Sequence, residues 1–296
     1  IFFTLVILCI SFNFPKKFEI IIYSSTLLVL IGFIDDIYNL RARTRFFFQI
    51  VSVLTMIIFS NLFITDIGPF YVLNEIKLFS FSIPFTVFIA VGLINTFNFT
   101  DGIDGLAGGQ AIVTIIILTI LLKLNNSMVQ LEFLSIFVSV LFIYTLVNTS
   151  ILPIKKIFLG DAGSTLIGFI ISFILIYYSQ DPIKIITPFE AIWCLVIPVF
   201  DAISVTMIRI KNGKSPFFPD RNHLHYLIID NGFSKNYALI IILLISFITS
   251  LFGILLIDLA GEVTAFFVYL LLFIIYIYTT LNIKLIINFV NKNFKI

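Results

Sequence analysis

The chain is poor in the residues from which soluble enzymes build polar sites: among 296 residues it has two cysteines, two histidines, one tryptophan and 11% charged residues. Cys9 and Cys194 each stand alone in an apolar run without CxxC spacing. That excludes a disulfide framework or thiolate metal centre and leaves two small buried hydrophobes. With two histidines and no cysteine near them, a zinc site is not expected either. So few charges beside 60% hydrophobic residues, at mean hydropathy +1.15, cannot furnish a water-facing coat. A Walker A loop, a GxGxxG fingerprint and an HExxH helix are all missing, so nucleotide is not held by a soluble-type fold. Nucleic acid is not an expected partner. The composition predicts an all-α, polytopic integral membrane protein in a lipid bilayer.

Apolar windows long enough to cross a bilayer fall at 18–34, 46–63, 83–96, 110–122, 131–147, 164–178, 188–208, 237–257 and 263–283. With the apolar stretch at 1–12, that predicts about ten transmembrane helices. The net charge of +2 says little, because placement is what matters. Alternation gathers thirteen of the 18 Lys and Arg residues on one side, including Arg41, Arg43, Arg45, Lys155, Lys156, Arg209, Arg221, Lys292 and Lys295. The other side keeps Lys16, Lys17, Lys77, Lys123 and Lys184. By the positive-inside rule the richer side is cytoplasmic. Loops 39–45, 95–109, 148–163 and 209–236 then lie inside, and the outer loops read as connectors. No repeat or linker divides the chain, so residues 1–296 are expected to form a single membrane domain. The segment 209–236 is too short for a separate domain and reads as a flap over a site.

Eight of the sixteen acidic residues lie in or beside hydrophobic runs on that inner side. Carboxylates at membrane depth are costly and usually functional. Asp35 and Asp36 close an apolar run; Asp35 shares a helical face with Asn39, whereas Asp36 points about 100° away. One could meet a metal and the other a proton or substrate, against the alternative of a solvated helix end paired with Arg41 or Arg43. Asn95, Asn98, Asp101 and Asp104 recur at every third position among glycines, so that neighbours meet and backbone can approach a ligand. Asp161 lies between Gly160 and Gly163, ahead of a helix that Ser164 could cap. Amides at such a helix start suit phosphate, and Lys156 adds a cation. The flap holds both histidines, His223 and His225, which face one way in extended backbone. Hydrogen bonds from them to a sugar or diphosphate, with Arg221 as an anion clamp, fit this segment. Asp201 either pairs with Arg209 or serves the site.

Residues 32–39, 95–109, 158–164 and 219–225 resemble, in order and on one membrane side, the signature motifs of the polyprenyl-phosphate N-acetylhexosamine-1-phosphate transferases. The chain looks like their WecA and TagO branch, and it lacks the triple His of the related MraY group. The resemblance implies transfer of a sugar 1-phosphate, GlcNAc 1-phosphate above all, from a UDP-amino sugar to undecaprenyl phosphate at a bacterial plasma (inner) membrane, with the active site facing the cytoplasm. UMP is released and a lipid diphosphate sugar is left, as the first membrane step of cell-surface polysaccharide synthesis. It also implies Mg²⁺, with Mn²⁺ as a substitute, and leaves a homodimer open. By similarity Asp161 is a metal ligand with Asp101, Asp35 and Asp36 position or deprotonate the lipid phosphate, and Asp101 and Asp104 arrange nucleotide and metal. Asn95, Asn98, Lys156 and Phe158 fall to substrate binding, Phe158 near the uracil, and Arg221, His223 and His225 to the sugar and diphosphate. The family's first helix and basic loop have no counterpart, so the chain is expected to be cut upstream. A UbiA-type prenyltransferase wants longer Asp-x-x-x-Asp patterns, and an ion-coupled transporter wants charges near the bilayer midplane.

Overall fold

A computed structural model describes residues 1–11, 14–69, 75–180, 182–218 and 220–284. Pro219, Lys292 and Lys295 lie outside the described residues, as does the side chain of Cys9. The described chain is all-α: α1 (Phe2–Ser11), α2 (Lys16–Tyr38), α3 (Ala42–Ser60), α4 (Ser82–Thr100), α5 (Leu106–Leu124), α6 (Leu131–Asn148), α7 (Gly160–Ser179), α8 (Pro188–Trp193), α9 (Val196–Lys211), α10 (Leu224–Asp230), α11 (Lys235–Ala260) and α12 (Glu262–Leu281). Eight helices among the described residues are long and apolar enough to cross a membrane, and the protein is a multi-pass membrane protein.

The window at 188–208 is not one helix. Pro198 lacks an N–H and its ring crowds the carbonyl four residues back, so the helix breaks at Cys194 and Leu195 into α8 and α9. The Cys194 carbonyl, left without a helical partner, accepts a hydrogen bond from the Thr114 hydroxyl at 3.1 Å. A Thr187–Glu190 capping box, with Pro188 at the first helical position, starts the short α8.

The centre of the bundle is α7, apolar on every face and buried at every residue from Ser164 to Ser179. It packs chiefly against α2 and α4. Gly168 allows α4 to come close: a Cβ there would sit 2.7 Å from the Ile94 Cα. A second core joins α9, α11 and α12 around Trp193, Phe200, Tyr269 and Tyr276.

Hydrogen bonds follow the alternation. The inner loops meet one another, as described below. At the opposite end the Gln180 side chain accepts from the Thr65 backbone at 2.8 Å, and Lys184 bridges Asp66 and Glu75. This outer stretch is more than a connector, since Asp66 is 2% exposed and needs that cation.

Candidate active site

The end of the bundle away from Lys184 is assembled from four helix ends, the C-termini of α2 and α4 and the N-termini of α3 and α7. Asp35 sits in the last turn of α2, which Asn39 closes with φ 50°, a left-handed conformation that Asn tolerates. Asp36, one residue on, reaches α7: its carboxylate accepts the Asp161 backbone N–H at 2.8 Å. The expected Ser164 cap is not formed, because α7 starts four residues earlier at Gly160 and its open amide is satisfied by Asp36 from another helix. Gly160 has φ +68°, and a Cβ there would meet Asp36 Oδ2 at 2.5 Å. Glycine is therefore required where the carboxylate docks.

Asp161 is held on both oxygens. Oδ1 accepts from Asn98 Nδ2 at 2.9 Å, and Oδ2 accepts from Arg45 Nη1 at 2.9 Å. The same Arg45 nitrogen donates to Asp35 Oδ2 at 3.0 Å, while Asp35 Oδ1 accepts from the Leu40 N–H at 2.6 Å. Asn98 also donates to the Ser164 hydroxyl, and Asn95 donates to Gln49 Oε1 at 2.8 Å. Asp35, Arg45, Gln49, Asn95, Asn98 and Asp161 line a small open cleft, together with Gly32 and Thr165. Arg45 and Gln49 were not singled out from the sequence. Their spacing, one helical turn apart at the start of α3, was the available signal.

Arg45 is the cation that holds Asp35, which is 4% exposed. Arg45→Gln is expected to cost about 1–3 kcal/mol, less than a fully buried pair would, because the Arg45 end is open to water. A drop in the thermal midpoint in detergent measures it.

Asp101 follows α4 directly. Burial, then the charges of Asp161, Asp104 and Asp36, push its carboxyl up to about 7. The structure thus brings Asp35, Asp36, Asn95, Asn98, Asp101 and Asp161 to one place. Asp104 is turned to Lys156, whose ammonium also lies 4.6 Å from the centre of the exposed Phe158 ring. Asn148 ties this rim down, accepting from the Gly105 N–H and donating to the Ile157 carbonyl.

The flap is placed differently from the sequence expectation. Arg221 does not face the carboxylate cluster but pairs with Asp230 at 2.6 Å and lies over the Tyr226 ring. His223 and His225 stack at 5.7 Å with an interplanar angle of 10°, yet both are buried. His223 has the extended backbone expected, whereas His225 already belongs to α10. Burial lowers the His225 pKa to about 4, so it is neutral near pH 7 and is no cation for a diphosphate. Its Nε2 has no partner and points at Gly102, beside Asp101.

The cluster suits a hard divalent cation. Its donors are oxygens, and Asp101, raised first by burial, also feels the negative charges of Asp161, Asp104 and Asp36. Among the described residues no three His, Cys, Asp or Glu side chains enclose a metal ion. Mg²⁺ commonly takes one or two carboxylates and completes its shell with water and substrate phosphate, so Asp161 with Asp101 is a fitting pair.

Comparison with known proteins follows the same residues. The family model for glycosyl transferase family 4 matches residues 18–179, which includes α2 through α7 and the whole carboxylate cluster. The chain is 34% identical over 229 residues to an undecaprenyl-phosphate alpha-N-acetylglucosaminyl 1-phosphate transferase of Escherichia coli O157:H7, covering 77% of this chain and 62% of that protein. A like-named protein of Yersinia pestis is 34% identical over 238 residues, 80% of this chain and 65% of the relative. One from Haemophilus influenzae is 31% identical over 266 residues, 87% and 74%. The chain therefore spans a little under two thirds of the length of the first two relatives. It belongs to glycosyl transferase family 4.

Proposed function

We propose that this member of glycosyl transferase family 4 transfers N-acetylhexosamine 1-phosphate, specifically GlcNAc 1-phosphate, from its UDP-sugar to undecaprenyl phosphate, releasing UMP. The carrying observation is the meeting of Asp35 and Asp36 of α2 with Asp161 of α7 at the inner end of the bundle. The names of the relatives support undecaprenyl phosphate as acceptor and N-acetylglucosaminyl 1-phosphate as the group transferred, and the UDP donor is part of the proposal. A UbiA-type prenyltransferase or an ion-coupled transporter is not favoured, since the chain matches a glycosyl transferase family and Asp35, Asp36, Asp101 and Asp161 gather at one end.

Joining two phosphate esters forces anions together, and a site for it needs cations and oriented acceptors. Mg²⁺, when bound by Asp161 and Asp101, would neutralise the diphosphate and orient it for in-line displacement. Asp36 fixes the start of α7, and Asp35 would position the lipid phosphate or take its proton. Asn98 holds the Asp161 carboxylate in one rotamer. Lys156 and Phe158 stand on the rim with a cation and an exposed ring, suited to a nucleotide. The inner end is the cytoplasmic one by the charge bias of its loops.

Membranes containing the protein, given labelled UDP-GlcNAc and undecaprenyl phosphate, are expected to form a labelled lipid and to run backward when UMP is in excess. Chelation should abolish turnover and added Mg²⁺ restore it. No product from any UDP-amino sugar, in correctly inserted protein, would reject the function. Turnover that persists in excess chelator would reject the metal.

A further inference from the structure

Asp201 heads a buried polar network beside the carboxylate cluster, outside the family match, and none of the chemistry above uses it. It lies in the second turn of α9 and is 8% exposed. Its Oδ1 accepts from the Leu224 N–H at 2.8 Å and from the Tyr276 hydroxyl at 2.9 Å. Its Oδ2 lies 2.7 Å from His223 Nδ1. On the far side of the ring, Arg209 Nη2 is 3.1 Å from His223 Nε2. The same guanidinium grips Asp220 through Nε and Nη2, and donates to the Pro216 carbonyl through Nη1 at 2.7 Å.

A guanidinium only donates. His223 Nε2 must therefore accept, its proton must sit on Nδ1, and that N–H donates to Asp201. Asp201 thus receives three donors and offers none. The direct Asp201–Arg209 pair that the sequence allowed is not formed: Arg209 pairs with Asp220, and the His223 imidazole stands between Arg209 and Asp201.

We infer that Asp201, supported by Tyr276, is a positioning residue that fixes the His223 tautomer and thereby latches the flap over the carboxylate cluster. The latch reaches that cluster through the end of α4. Arg209 lies 5.3 Å from the Phe99 ring centre and the His223 ring 5.7 Å from it. Phe99 directly follows Asn98, which holds Asp161. His225, two residues beyond His223, abuts Gly102 next to Asp101. As a statement about catalysis this rests on the transferase function.

An amide cannot replace the carboxylate. If the side chain introduced by Asp201→Asn kept its oxygen toward Leu224 and Tyr276, its NH₂ would face His223, drive the ring proton to Nε2 and set that N–H against Arg209. The flipped side chain would keep an oxygen toward His223 but turn its NH₂ on both the Leu224 N–H and the Tyr276 hydroxyl, two lost acceptor contacts against one, so the first orientation is favoured. Either way a donor faces a donor in a buried site.

The chain has only two histidines, so ¹⁵N-histidine spectra of the protein in proteoliposomes resolve both rings, with His225→Gln to assign them. Wild type is expected to show His223 protonated on Nδ1 with a bare Nε2, and Asp201→Asn to move that proton. In the transfer assay Asp201→Asn should lower kcat/KM about 10- to 100-fold, as loss of an orienting partner does, mainly through KM for the UDP-sugar. Tyr276→Phe keeps the carboxylate and should keep the tautomer, with less than about a tenfold loss. A wild-type His223 protonated on Nε2 overturns the latch, whether or not Asp201→Asn folds. So does Asp201→Asn with an unmoved proton or unchanged kcat/KM. If wild type transfers no sugar phosphate at all, the transferase function fails, and the spectra still decide the tautomer.

Discussion

Asp161→Asn should abolish most turnover while leaving the fold intact. The substitution conserves shape but converts one oxygen into a donor, and both oxygens now accept, one from Asn98 and one from Arg45. One of those two partners must then face an NH₂ group. The charge that would hold the divalent cation is lost as well. Removing one preorganised electrostatic contact of this kind costs about 10²–10³-fold in rate, and here a contact and a charge go together, so a loss of about 10³-fold is expected. Stability should change little, because the Asp36 carboxylate caps the backbone N–H of residue 161 rather than its side chain. The measurement is labelled lipid formed per minute, beside the thermal midpoint of the same preparation. Raising Mg²⁺ should not restore the rate. Wild-type turnover in the mutant would remove Asp161 from the site.

The carboxylates were legible in the sequence because they are out of place there: an acidic residue in an apolar run has few structural excuses, and four such clusters on one side of the membrane are hard to explain by chance. The sides followed from alternation and from Lys and Arg placement, which needs no knowledge of packing. What the sequence hid depends on distance between helices. Arg45 looked like one of three loop arginines, and only the approach of α2 and α7 singles it out from Arg41 and Arg43. Asp201 sat in a run that reads as a continuous span, and the break that Pro198 imposes was visible only as a residue type. The flap's pairings were hidden for a related reason. A basic stretch with two histidines suggests ligand contacts, yet here Arg209 pairs with Asp220, Arg221 with Asp230 and His223 with Asp201 of α9, while His225 Nε2 stays without a partner. Periodicity records which face a side chain shares with its own helix, and says nothing of which partner it finds across the bundle.

Gly32→Ala should be among the most damaging single-methyl changes in the chain, although helix propensity argues the other way. In a helix interior alanine is favoured over glycine by about 1 kcal/mol. At position 32 the added Cβ would overlap the Ala162 Cα and lie 2.6 Å from the Ala162 backbone nitrogen. Backbone cannot rotate out of the way, so α2 and α7 must separate, and overpacking of this sort costs about 1–3 kcal/mol. The clash therefore outweighs the propensity gain. Ala162 is the neighbour of Asp161, and Gly32 lies one turn before Asp35 and Asp36. Pushing the two helices apart displaces the contacts from Asp36 to α7 and from Arg45 to both carboxylates, and misplacement by about 1 Å at a reacting centre costs about 10²-fold. Gly92→Ala is the matched control, because a Cβ there meets nothing within 4 Å and only the propensity gain remains. A lower thermal midpoint and about a hundredfold slower transfer are expected for Gly32→Ala, and no loss for Gly92→Ala. Ala162→Gly should fail to rescue, since the clash is with main chain. Rescue by that second change, or an unaltered midpoint in the first, would show that the two helices do not meet as closely as described.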